Sequence, residues 1–225
     1  MSNILVTGAT GYVGGRLVPL LIEQGHHVRV LVRDADRIVA RPWSDQVEVV
    51  EGDLLDVETL KPAVEGVEVA YYLVHSMESG RDFAQRDRQA ARNFVEAVER
   101  RGTSLRHVIY LGGLLPDDEK RRSGHLISRA ETGEILREAL PVTEFRAGPI
   151  IGSGSASFEM VRYLTERLPI MVTPKWVRNT VEPIAVRDVL AYLVASADRE
   201  AMGIVEIGGG ALTFKQMMQQ YAKVR

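Results

Sequence analysis

Residues Thr7–Gly14 read Thr-Gly-Ala-Thr-Gly-Tyr-Val-Gly, which sets Gly8, Gly11 and Gly14 at three-residue spacing. An apolar segment, Ile4–Val6, runs into them, and a stretch of helical periodicity follows as far as Gln24, with Gly25 just beyond. Strand, glycine turn and helix in that order restrict the chain to very few folds. Gly8 suits the tight turn, Gly11 the close approach of a pyrophosphate, and Gly14 the close packing of helix on strand. The helix N-terminus then offers unpaired N–H groups and a partial positive charge to phosphates. Gly8, Thr10, Gly11, Tyr12, Val13 and Gly14 are therefore the first candidates for holding a dinucleotide.

The remaining sequence keeps the same rhythm. Strand-like runs at Val28–Val32, Val47–Val50, Val69–Val74, His107–Leu111, Thr143–Arg146 and Ile204–Ile207 alternate with helical patterns. Most are continuous apolar runs, as expected for a parallel sheet covered on both faces. Asp82–Arg101 is the clearest helix, with Phe83, Ala90, Phe94 and Val98 at helical spacing and Gly102 behind it. The order predicts an α/β fold, a doubly wound parallel sheet of about seven strands. Residues 152–183 break the rhythm with Gly152, Gly154, Pro169, Pro174 and Trp176, and are expected to form a small substrate-side lobe of one domain over residues 1–225. The last segment, Thr213–Arg225, reads as a helix without a stop signal, as in a truncated chain.

Bulk properties exclude several classes. A formal net charge of -2 gives no field to draw nucleic acid or anionic lipid. No cysteine is present, so disulfides, thiolate nucleophiles and thiolate metal sites are ruled out. No apolar run approaches the roughly 20 residues of a membrane helix, and no signal peptide precedes the first strand, so a cytoplasmic protein is expected. A small-molecule substrate is expected as partner, with a protein partner or a homodimer left open.

The end of the second strand discriminates between nicotinamide cofactors, an acid there favouring NAD and an arginine NADP. Here the strand ends Val30-Leu31-Val32 and Arg33 follows, so NADP is favoured and NAD stays open. A surface arginine beside Asp34 is the plainer reading. Asp53 and Leu54 close the third strand, where a short polar residue suits the adenine amino group or caps the next helix. Val74 and His75 end the fourth strand at the edge where ligands bind, and a plain strand-end histidine fits equally.

The glycine turn, Gly52-Asp53-Leu54, and Phe145-Arg146-Ala147-Gly148-Pro149-Ile150-Ile151-Gly152 together resemble the short-chain dehydrogenase/reductase superfamily in its atypical branch. The chain is most similar there to the NAD(P)-binding, NmrA-like group related to the complex I accessory subunit, on Leu73-Val74-His75-Ser76-Met77 and Pro174-Lys175-Trp176-Val177-Arg178. The resemblance implies cofactor contacts from Val74, His75 and Pro149 besides those of the turn. It also implies a serine ending the fifth strand and a Tyr-x-x-x-Lys pair on the next helix. This chain has Gly112-Gly113 where the serine belongs, and His125 and Arg129 at the tyrosine and lysine positions. His125 is thus the candidate proton donor and Arg129 the candidate ribose ligand, with a non-catalytic exposed helix residue as the alternative for His125. Ser76, Ser123, Ser153 and Ser155 are weaker hydroxyl candidates, more often turn residues. Tyr163, Met171 and Trp176 could line a substrate pocket, whereas Tyr71 and Tyr72 read as packing. Two functions remain: an NADP(H)-dependent oxidoreductase acting on a small or lipophilic molecule, and a non-catalytic NAD(P)-binding redox sensor or accessory subunit. An NDP-sugar epimerase needs the missing Tyr and Lys and is weaker.

Overall fold

A computed structural model of the chain describes residues 1–75, 82–101, 104–167 and 175–224. The elements begin β1 (Asn3–Thr7), α1 (Gly14–Glu23), β2 (His27–Val32), α2 (Asp36–Val39), β3 (Glu48–Glu51), α3 (Val57–Val64), β4 (Val69–Tyr72) and α4 (Phe83–Arg101). There follow β5 (His107–Gly113), α5 (Gly124–Ala139), β6 (Val142–Ala147), β7 (Ile150–Ile151) and α6 (Ala156–Arg167). The chain closes with β8 (Thr180–Val181), β9 (Ile184–Ala185), α7 (Val186–Ser196), β10 (Gly203–Ile207), β11 (Leu212–Thr213) and α8 (Phe214–Val224).

Seven of these strands form a parallel sheet in the order β10-β6-β5-β4-β1-β2-β3. The order turns back at β1, which pairs with β2 on one side and β4 on the other. Ligands of open α/β sheets bind outside the carboxyl ends of the strands at such a switch point. Register aligns those ends: Thr7 stands opposite Leu31 on one side and Tyr72 on the other. The segments starting at Gly8, Arg33 and Leu73 therefore leave the sheet along one edge. Thr7 closes β4: its hydroxyl donates to Tyr71 O at 3.1 Å and accepts from Leu73 N–H at 3.2 Å. That N–H is then lost to the ladder, which is why β4 ends at Tyr72 and not at Val74.

Both faces of the central strands β1, β4 and β5 are covered, which explains their unalternating apolar runs, whereas the edge strand β3 is largely exposed. On one face Leu5, Ala70, Tyr72, Val108 and Tyr110 pack with Leu60, Phe94 and Leu136 from α3, α4 and α5. Tyr72 meets Phe94 and Tyr110 edge to face at 5.4 and 6.0 Å, each pair adding about 0.5–1.5 kcal/mol beyond area burial. The intervening residues Ile4, Val6, Val69, Tyr71 and Ile109 are buried too, so neither side of these strands meets water. Tyr71 and Tyr72 are packing residues, as the sequence indicated. Glu144 is an inserted charge in β6, 1% exposed. Arg137 Nε and Arg146 Nε donate to its two oxygens at 2.9 and 2.8 Å, which satisfies a carboxylate that burial alone would penalise.

The chain divides into two compact units: residues 1–146 with 190–205, and residues 147–189 with 206–225. Residues 152–183 fall within the second unit. Its core gathers Val161 of α6, Val177, and Met217 and Met218 of α8. Ser155 caps α6, accepting from Phe158 N–H at 3.2 Å, and Tyr163 lies 57% exposed on that helix. Pro149 accepts from Ile184 N–H at 3.0 Å, which holds β7 beside β9. Ser76, Pro169, Met171, Pro174 and the side chain of Trp176 lie outside the described residues. Among the described residues no helix is long and apolar enough to cross a membrane.

Candidate functional site: a glycine turn and the β4–α5 edge

The three glycines of the turn have different reasons to be glycine. Gly8 has φ +76°, and a Cβ there would stand 2.8 Å from Leu73 O. A Cβ at Gly14 would stand 2.3 Å from Gly8 O. The backbone alone therefore requires both. Gly11 is exposed, has no positive φ, and would place its Cβ 3.1 Å from Gly8 O with no other atom within 4 Å. Folding scarcely needs a glycine at that position. What it leaves is an open cradle above the turn, bordered by the start of α1.

That helix start is prepared for anions. Val13 precedes α1 without a side-chain cap, and no acid lies in the first turn. The start of the helix carries a partial positive charge, which suits an anion at the cradle, although Gly15 N–H already donates to Gly11 O and Arg16 N–H to Val13 O, both at 3.0 Å. Arg16 lies 4.0 Å over the Tyr12 ring and donates to Tyr12 O at 3.0 Å. Thr10 O accepts from Arg41 Nη2 at 3.1 Å, a contact that sequence reasoning missed. The residues of the turn fit a pyrophosphate.

At the ends of β2 and β3 the sequence candidates separate. Arg33 is exposed and has no ion pair or hydrogen bond among the described residues. Asp34 instead accepts from Asp36 N–H at 3.0 Å. Asp53 accepts from Leu55 N–H at 2.9 Å in a local turn, while Asp56 caps α3 through Glu58 N–H. Leu54 turns its side chain into the core, and its carbonyl accepts from Asn93.

The fourth-strand edge and α5 form the second cluster. Arg129 reaches back from α5 to His75, its Nη2 lying 3.2 Å from Nδ1 and 2.9 Å from Nε2. Burial, then the Arg129 charge, pushes the His75 pKa down to about 4. A neutral imidazole accepting from a guanidinium is the consistent state. His125 does not share the contact. Its ring is exposed and stacks on Phe83 at 4.3 Å. His125 stands one turn before Arg129 on α5, close enough that its charge adds to the lowering of the His75 pKa. Tyr110 is the nearest buried phenol, but its hydroxyl donates to Arg129 O at 2.9 Å and burial raises its pKa, so it is no ready acid. Ser128 donates to the buried Asp87 carboxylate at 2.9 Å, tying α5 to α4. Ser123 is the cap of α5, its hydroxyl accepting from Leu126 N–H at 3.3 Å.

Side chains crowd the glycines that stand in place of the serine. A Cβ at Gly113 would lie 2.7 Å from Leu126 Cδ2, and one at Gly112 would lie 3.1 Å from Glu144 Oε1. Gly133 leaves room for the same carboxylate, since its Cβ would lie 2.5 Å from Oε2. A hydroxyl residue at either position would require the Leu126 or Glu144 side chain to shift.

His75 and the fully buried His107, also lowered chiefly by burial, set a pH dependence. Unfolded histidine takes a proton near pH 6.5, while these two resist it when folded. Their contribution is present above pH 6.5 and is lost as the pH falls below it, for His75 down to about 4, by up to about 1.4 kcal/mol per pH unit for each group. Melting temperature recorded across that range should fall, and His107→Gln should flatten the fall. An unchanged slope in that variant would contradict the neutral buried imidazole.

A parallel sheet with a glycine turn at its switch point defines a Rossmann-type nucleotide-binding protein. Residues 8–144 match the NAD(P)H-binding family, and the chain belongs to it. It is 30% identical over 209 residues to the ceramide reductase of Caulobacter vibrioides, covering 91% of this chain and 63% of that protein. It is 33% identical over 98 residues to a 3β-hydroxysteroid dehydrogenase/Δ5→4-isomerase of Mycobacterium tuberculosis, covering 44% and 26%. The chain thus spans less than two thirds of the length of either relative. The fold is similar to the Bordetella bronchiseptica enzyme WbmG in complex with NAD, with TM-score 0.80 at 16% identity over 99% of this chain and 78% of that one. It is also similar to UDP-glucose 4-epimerase of Thermotoga maritima, with TM-score 0.75 at 19% identity over 99% and 82%.

Proposed function

We propose that the chain is an NADP(H)-dependent oxidoreductase of the atypical, NmrA-like branch, acting in the cytoplasm on a small or lipophilic substrate. The observation that carries the cofactor choice is Arg33, an unpaired cation at the strand end where NAD-binding folds place an acid. Asp34, the acid that would neutralise it, is turned to a backbone N–H instead. A lipophilic substrate is supported by the names of two relatives, a ceramide reductase and a steroid dehydrogenase.

A bound nicotinamide supplies or accepts the hydride. The glycine turn at the start of α1 would hold its pyrophosphate, and Arg129 and His75 its ribose. In reduction of a carbonyl, His125 would give a proton to the oxygen, and the nicotinamide, when bound, would supply the hydride to the carbon. An exposed ring can then regain its proton from solvent. The packed Gly112-Gly113 edge favours a second reading, a cofactor-binding redox sensor or accessory subunit without turnover.

Arg33→Ala tests the cofactor choice. The parent is expected to bind NADPH more tightly than NADH by about 1–3 kcal/mol, from charge-assisted pairing with one phosphate. The variant should lose most of that gap while its NADH affinity stays unchanged. Titration of both cofactors into both proteins reads it, and a gap that survives the substitution removes Arg33 from the account.

A further inference from the structure

We propose that Phe83 is the positioning residue for the proton-donating ring of His125, an inference that rests on the oxidoreductase reading above. Phe83 opens α4, and His125 is the second residue of α5. The two helices follow the parallel strands β4 and β5, and contacts between them climb in step. Phe83 stacks on His125, with ring centroids 4.3 Å apart and planes inclined by 26°. One turn on, Ser128 donates to Asp87 at 2.9 Å. Arg88 then pairs with Glu131 at 2.7 Å. The buried bond and the ion pair fix the helices against each other, and the half-buried Phe83 is thereby set beside His125. Gly124 completes the seat: a Cβ there would stand 3.5 Å from Phe83 Cζ, so the tip of the phenyl ring lies close to the backbone of α5.

An exposed histidine in the first turn of a helix has more than one rotamer open to it. Stacking selects one of them. It acts through the ring face, whereas the two nitrogens bond in the ring plane, so neither is consumed. Among the described residues no hydrogen bond reaches either nitrogen of His125. His75 is the opposite case, with both nitrogens facing Arg129 at 3.2 and 2.9 Å. One histidine is fixed at the expense of its proton-carrying atoms, and the other keeps them for a substrate. A catalytic triad orients its histidine through a hydrogen bond to the second nitrogen, and here an aromatic face does it instead. The ring so held stands near the cluster at the end of β4, since its charge is felt at His75. A donor free to swing spends less time within reach of the reacting oxygen, and lost orientation costs rate without costing affinity.

The test uses the whole chain with NADPH and an acceptor from a panel of quinones, aldehydes and lipophilic ketones. Phe83→Leu keeps an apolar side chain at the start of α4 and removes the ring face. It is expected to lower kcat roughly fivefold, from the loss of one aromatic pair, with KM and NADPH affinity unchanged. Phe83→Trp offers a face again and should recover most of that rate. In NMR spectra the His125 ring protons should carry an upfield shift from the phenyl ring, lost in Phe83→Leu and present in Phe83→Trp. A double variant decides how Phe83 acts. If it works through the imidazole, Phe83→Leu adds nothing to the loss already caused by His125→Phe. An equal loss in both backgrounds would make Phe83 a structural residue and overturn the proposal. So would parental kcat in a Phe83→Leu protein whose ring shift is gone, or a parent without that shift. Parental turnover in His125→Phe, or no turnover with any acceptor, sinks the donor reading itself and this inference with it.

Discussion

Gly11→Val is expected to weaken NADPH and NADH together, on the order of a hundredfold or more, in a protein that still folds. The reason is the difference between two glycines of one turn. A side chain at Gly14 collides with Gly8 O at 2.3 Å, which no local adjustment can absorb. A side chain at Gly11 meets Gly8 O at 3.1 Å and otherwise open space, so the backbone need yield by only a few tenths of an ångström. Valine therefore keeps the turn and fills the cradle. Gly14→Ala is the matching control and should lose the fold before it loses the ligand. Thermal melting and calorimetry on the two variants separate these effects. A folded Gly11→Val with parental affinity would move the phosphates to another part of the edge.

His125→Phe is expected to lower turnover on the order of a hundredfold, the low end for a general acid, with NADPH affinity unchanged. The residue can be replaced without structural cost because its ring is exposed and already stacks on Phe83 at 4.3 Å. Phenylalanine preserves that stacking and removes only the proton. Arg129→Ala should differ in kind. Its guanidinium holds His75 at 2.9 Å, so its loss weakens cofactor binding and frees the imidazole. Steady-state rates with NADPH and a panel of quinones, aldehydes and lipophilic ketones provide the readout. Parental turnover in His125→Phe would make the histidine a bystander. Absence of turnover with every acceptor would favour the sensor or accessory-subunit reading.

The sheet was legible in the sequence because buried parallel strands are apolar on both sides, and each of the seven runs falls on a strand of the sheet. Ends were less legible where a side chain decides them. The apolar run continues through Leu73 and Val74, but β4 stops short of them because the Thr7 hydroxyl takes the Leu73 N–H, a contact across 66 positions of chain. Asp53 reads as a cap from its place before α3, yet Asp56 performs that role. At the site, the glycine turn was legible because its three glycines recur within eight residues between a strand and a helix, although the close approach of Leu73 O to Gly8 was not. The Trp43 contact was not legible, because it depends on the Gly15 carbonyl that Pro19 leaves open in another element. A proline within an amphipathic helix and a tryptophan in a polar loop were the available signals. Gly112 and Gly113 were noted as a missing hydroxyl, whereas the nearness of Glu144 and Leu126 to them exists only in the folded chain.

The central claim is that the glycine turn and the neighbouring Arg33 hold a phosphorylated dinucleotide. Calorimetric titration of the parent protein with NADPH and NADH, first at one ionic strength and then at a higher one, tests it most directly. The expected result is one site for both, with NADPH tighter by about 1–3 kcal/mol and the gap shrinking as salt screens the exposed arginine. Equal affinities, or tighter binding of NADH, would contradict it.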